Sequence, residues 1–147
     1  NLHPFLSQKN YLFRVYKNIF RLLLCKIYYR NIAIVPEILK TENQMLSFLN
    51  LIFCDNKTIR EHNNKFLSHD YNTDIITFFD FDETNIMYGE LLISVEQVML
   101  NAKDYNTTFN KELKRVIIHG VLHLCGYDDK TKTAKNKMSK REDYYLN

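Results

Sequence analysis

Tryptophan is absent from this sequence, and cysteine, glycine and proline are scarce: three, three and two among 147 residues. The cysteines, Cys25, Cys54 and Cys125, are odd in number and widely spaced, which excludes a disulfide framework and a paired-cysteine zinc site. Each lies in an apolar run, as small buried thiols of a reducing compartment do. No apolar run approaches the ~18 residues a membrane span needs. Internal repeats and low-complexity linkers are also missing. A chain of this length without them is expected to be one domain, residues 1–147, able to bury its own core. It starts at Asn1 rather than Met, an end compatible with a trimmed N-terminus or a removed targeting segment.

Charge is missing in blocks. Residues 1–30 carry Lys9, Arg14, Lys17, Arg21, Lys26 and Arg30 and no acid. Residues 66–102 carry no Lys or Arg but hold Asp70, Asp74, Asp80, Asp82, Glu83, Glu90 and Glu96. The final eighteen residues are Lys-rich again. A net charge of +3 is too small to argue for nucleic acid by itself. The basic, acidic, basic layout suits an acidic cleft flanked by positive surface that can hold a polyanion.

The hydrophobic pattern predicts elements of both kinds. Residues 9–29 read as a basic amphipathic helix, with Leu12, Val15, Tyr16, Ile19 and Leu23 on one side. It is expected to cover the sheet, with a membrane-surface or presequence-like role as the other reading. Residues 32–35 read as a short strand and 36–45 as a short helix opened by Pro36. Strands are expected at 47–54, 73–79 and 90–94. Helices are expected at 56–66 behind an Asp55 N-cap, at 95–106 behind a Ser94–Gln97 capping box, at 111–124 and at 131–146. The loop at 80–88 is too short for a crossover, so its flanking strands pair antiparallel. Strand 47–54 reaches strand 73–79 through a helix, which permits a parallel pair. The fold class is α+β: a small mixed sheet covered by helices.

What is present is concentrated at residues 119–129, HGVLHLCGYDD. His119 and His123 are one helical turn apart and project from one face, so both can reach one metal ion. Gly126 is placed to stop the helix in a left-handed cap. The chain then returns with Asp128 and Asp129. Either Asp128 or Asp129 can supply a third, acidic ligand. Three ligands leave an open position where a metal holds a reactive water. Cys125 points away from the histidines by about 100° per residue and is rejected as a ligand. Gly120 occupies the position where zinc proteases carry a glutamate base. A mid-helix glycine costs about 1 kcal/mol relative to alanine, which signals a close approach by a strand or a substrate backbone.

HGVLHLCGYDD resembles the signature of the YbeY family of bacterial endoribonucleases, His-Gly-x-Leu-His-Leu-x-Gly-Tyr-Asp-His. TDIITF at 73–78 and GELLIS at 89–94 resemble two strand motifs of that family. Met138 and Glu142 match a Met-x-x-x-Glu pattern in its last helix. The resemblance covers about residues 47–142. It implies one bound Zn2+ on His119, His123 and Asp129, with the histidines catalytic through the metal. It implies single-strand-specific cleavage in late ribosomal RNA maturation, at the 16S rRNA 3′ end, and in ribosome quality control. The implied partners are ribosomal RNA, small-subunit ribosomal proteins or an assembly GTPase, in the cytoplasm and without a membrane. Basic residues that could hold the RNA backbone are Lys65, Lys111, Lys114, Arg115, Lys130 and Lys132. Their other reading is solvated helix surface. Two positions depart from the family pattern. Asp129 stands where the third histidine is usual; aspartate binds zinc at about 2.0–2.2 Å and should make a bound water less acidic. Leu67 stands where an arginine is common, with Lys65 and His69 as the nearby cations. Those departures sustain a second reading, a non-catalytic RNA-binding assembly factor with a structural metal. Tyr127 could stack on a base, with core packing as the favoured reading.

Overall fold

The computed structural model describes residues 31–68, 70–81, 83 and 86–147. The helix expected over residues 9–29, Cys25 and His69 lie outside the described residues. In chain order the elements are α1 (Val35–Thr41), β1 (Leu46–Cys54), α2 (Asn56–Leu67), β2 (Ile75–Phe81), β3 (Met87–Ser94), α3 (Val95–Asp104), α4 (Phe109–Leu124) and α5 (Lys132–Leu146).

The three strands form one mixed sheet in the order β1-β3-β2. β3 takes the middle because Leu91, Leu92, Ile93 and Ser94 are buried in succession, so both of its faces can be covered. β2 runs antiparallel to it, with Ile75 opposite Ile93 and Phe79 opposite Gly89. β1 runs parallel to β3, with Leu51 opposite Leu91. The parallel β1–β2 pair that the connection permitted does not form: the parallel partner of β1 is the more deeply buried β3. β2 and β3 also extend further into the expected 80–88 loop, to Phe81 and from Met87. Residues 31–34 are not a strand; they are helical and turn residues leading into α1.

Successive strand residues face opposite sides of the sheet. On one side, Ile59 of α2 packs with Cys54, Ile76 and Leu92. On the other side lies α4. A Cβ on Gly120 would meet Ile75 Cδ1 at 2.5 Å and Leu91 Cδ2 at 2.9 Å. The close approach signalled by this glycine is that of the sheet. Leu124, one turn later, fills the space over Gly89, whose Cβ would lie 2.7 Å from Leu124 Cδ1. Val116, Ile117 and Val121 of α4 are fully buried. At roughly 1.5–3 kcal/mol for each fully buried aliphatic side chain, these burials hold the helix in place.

Caps fix where the helices start. Asp55 accepts from Thr58 N at 2.8 Å, Ser94 from Gln97 N at 3.2 Å and Thr108 from Lys111 N at 3.2 Å. The Thr108 cap starts α4 at Phe109, two residues ahead of the expected boundary. Gln97 does not close the expected capping box: Ser94 N donates to the Asp74 carbonyl at 2.9 Å instead, and the Gln97 amide donates to Asn101. Among the described residues no helix is long and apolar enough to cross a membrane.

Candidate metal centre

α4 ends as its sequence requires. Gly126 adopts φ 85°, and Gly126 N and Tyr127 N donate to His123 O and Leu122 O, both at 3.0 Å. This double closure turns the chain back along the helix end. It brings Asp129 beside the histidines. One ligand atom from each of His119, His123 and Asp129 lies within 4.8 Å of the others, and all three side chains are half-buried. Asp129 Oδ2 is 4.0 Å from His119 Nε2. Asp128 instead accepts from Asp129 N at 2.9 Å and Lys130 N at 3.3 Å, holding the turn.

The outer partners fix which nitrogens are free. His123 Nδ1 is 2.9 Å from the Tyr127 carbonyl, which can only accept, so the His123 proton sits on Nδ1. His119 Nδ1 donates in the same way to Glu142 Oε1 at 2.6 Å. Both Nε2 atoms are then bare lone pairs, and they face each other at 3.0 Å. Two acceptors at that distance repel unless a cation lies between them. Two nitrogens on one tetrahedral zinc, each at about 2.0–2.1 Å, would sit roughly 3.3 Å apart. The donor set therefore fits a metal ion.

The charges agree. Burial and then the neighbouring His119 lower the His123 pKa, favouring the neutral ligand form. Burial pushes the Glu142 carboxyl up, but the hydrogen bond to His119 and the charge of Arg115 outweigh it and hold Glu142 below its ordinary value. Such a carboxylate–histidine pair orients the ring and raises its basicity toward a metal. Arg115, one turn before His119, donates to Glu112 at 2.6 Å and Asp74 at 3.1 Å. It also stands 3.6 Å from Glu142. Burial alone would lower its pKa; the Glu112, Asp74 and Glu142 carboxylates raise it instead.

The expected RNA-contacting residues separate. Arg115 directs its guanidinium to the carboxylates of Glu112 and Asp74. Lys130 and Lys132 are exposed just after the ligand loop. Lys111 and Lys114 stand eight and five residues before His119, roughly 12 and 7.5 Å along the helix axis at 1.5 Å per residue. Lys65 belongs to α2, on the other side of the sheet from α4, and lies 5.1 Å from the Phe66 ring centroid. Leu67 is exposed at the end of α2. Cys125 is outside the ligand group, and burial pushes its thiol up to about 11. Tyr127 donates its hydroxyl to Glu42 rather than standing free for a base.

Sequence reasoning missed Asp74, Glu112 and Glu42 as parts of the site's surroundings, and it read Glu142 only as half of a pattern. The available signal was the charge of Glu112 and Glu142 amid helix faces that bury their neighbours. Both are buried, and buried carboxylates need partners.

Two imidazole nitrogens and a part-exposed carboxylate on an α+β scaffold could hold a metal ion, as the ligands of metallohydrolases do. The family model described as Endoribonuclease YbeY matches residues 24–147. A protein of Karelsulcia muelleri named Endoribonuclease YbeY is 45% identical over 109 residues, covering 74% of this chain and 77% of its own. Another of that name, from Chlorobaculum tepidum, is 42% identical over 113 residues, covering 77% and 82%. The solution structure of a Thermotoga maritima protein superimposes with a TM-score of 0.60 at 33% identity, over 83% of this chain and 80% of that one. The chain belongs to the YbeY family.

Proposed function

We propose that this chain is a single-domain, zinc-dependent endoribonuclease that cleaves single-stranded RNA during ribosomal RNA maturation, at the 16S rRNA 3′ end and in ribosome quality control. The observation that carries the reading is the pair of bare Nε2 atoms at 3.0 Å with a carboxylate beside them, in a chain of the YbeY family. One Zn2+ is the assigned ion, held by His119, His123 and Asp129. When bound, it supplies Lewis acidity toward a water or a scissile phosphate.

The protein's own groups do the rest. His119 and His123 present neutral nitrogens because Glu142 and the Tyr127 carbonyl hold their protons on Nδ1. Asp129, part-exposed, adds negative charge on the solvent side. Lys130 and Lys132, next to the ligand loop, offer backbone charge to RNA, with Lys111 and Lys114 further along α4. Assembly partners, either small-subunit ribosomal proteins or a GTPase, and a cytoplasmic location complete the reading.

The test is a single-turnover assay on ribosomal RNA with wild type and His123→Ala, each analysed for bound metal. Loss of zinc and of cleavage together in His123→Ala is the expected result. Cleavage unchanged in that variant would assign the activity to a contaminant. Zinc retained by a wild type that binds RNA without cutting it would favour the assembly-factor reading.

A further inference from the structure

Glu42 lies just past the end of α1, far from the ligands in sequence. Its side chain is only 11% exposed. Three donors from two other parts of the chain converge on it. Tyr127 OH reaches Oε2 at 3.0 Å and Tyr145 OH reaches Oε1 at 2.6 Å. Arg141 Nε donates to Oε1 as well. Burial pushes the Glu42 carboxyl up, but these donors outweigh it and keep it below its ordinary value.

The two branches lead to the two histidines. Tyr127 is the residue whose carbonyl fixes His123 through Nδ1. It also stands immediately before Asp128 and Asp129. Arg141 is the neighbour of Glu142, which fixes His119 through Nδ1. A hydroxyl at one end of Tyr127 and a carbonyl at the other leave that residue little freedom to rotate. Without its hydroxyl anchor the ligand loop would rest on short-range contacts only: the α4 cap, the His123–Tyr127 bond and the Asp128 turn.

We propose that Glu42 is a positioning residue of the metal centre: it clamps Tyr127 and α5 together, so that the histidine nitrogens and Asp129 keep a common focus. The inference rests on the metal reading given above. Outer partners of metal ligands contribute about 10–100-fold in affinity, and a partner one bond further out is expected at the low end, near tenfold.

The test uses the full chain, stripped of metal and titrated with Zn2+ against a chromophoric chelator. Co2+ is loaded in parallel, and its visible absorption reports ligand geometry. The variants are Glu42→Ala and Tyr127→Phe, with urea stability measured on each metal-free protein. Both variants are expected to bind Zn2+ about tenfold more weakly and to change the Co2+ spectrum. A purely structural role would lower urea stability while leaving affinity and spectrum at wild-type values, and that result overturns the proposal. Should Glu42→Ala not fold, Tyr127→Phe decides alone, since it removes one hydroxyl. A wild type that takes up neither ion would sink the metal reading itself, and this is distinguishable because it needs no variant.

Discussion

Replacing Gly120 with alanine tests the seam that carries the histidine helix. The new methyl would lie 2.5 Å from Ile75 Cδ1 and 2.9 and 3.2 Å from the two Leu91 methyls. Rotating Leu91 exchanges one of its methyls for the other, and its full burial leaves it no exit toward solvent. Overpacking a core costs about 1–3 kcal/mol, and three close atoms argue for the upper half of that range. Alanine returns about 1 kcal/mol of helix propensity. The seam should win, for a net loss of about 1–2 kcal/mol. With a urea m-value of about 1.5 kcal/mol/M, the midpoint falls by roughly 0.7–1.3 M at unchanged slope. A second arm removes the nearest clash: in an Ile75→Val background the same substitution should cost about 0.5–1 kcal/mol less, a coupling read from a double-mutant cycle. A midpoint at or above wild type for Gly120→Ala would show that α4 does not rest on the sheet as described.

Further outcomes follow from the charged groups. Glu142→Gln removes the charge facing His119 Nδ1 and should weaken Zn2+ binding about 10–100-fold in a chelator competition. Arg115→Leu removes the cation shared by Glu112, Asp74 and Glu142 and should destabilise by about 2–4 kcal/mol in urea unfolding, whereas Lys111→Ala on the exposed start of α4 should stay within about 0.5 kcal/mol. Equal effects of those two would mean that Arg115 is a surface cation after all. The Glu42 carboxyl is held below its ordinary value of 4.5. Its contribution to stability is therefore full above that pH and is lost as pH falls through the folded value. Glu42→Gln should accordingly flatten the acid limb of the stability curve, and an unchanged limb would deny the ionised clamp.

The sequence made the local half of this molecule readable. The 119–129 run, with its helical histidine spacing, glycine stop and returning acid, needs only contacts within a few residues, and its geometry emerged as expected. Asp55, Ser94 and Gly126 likewise act through their own turns. Strand order was not readable, because nothing local in β1 says whether β2 or β3 lies beside it; the burial of β3 on both faces decides that. The surroundings of the histidines were hidden for the same reason. Arg115 looks like any helix-surface cation until Asp74 and Glu142 arrive from elements far away in the chain. Glu42 carries no motif at all, and only the folded position of Tyr127 and α5 gives it a role.

The ligands and their supports differ sharply in chain distance. His119, His123 and Asp129 fall within eleven residues, whereas the His119–Glu142 bond spans 23 positions and the Tyr127–Glu42 bond spans 85. An unfolded chain keeps the first set close together and loses the second. It can therefore capture a metal ion weakly on its own. By mass action an ion stabilises the native state only through the excess of its native affinity over that unfolded affinity. The stabilisation measured on adding Zn2+ would then report the worth of the long-range supports rather than of the three ligands.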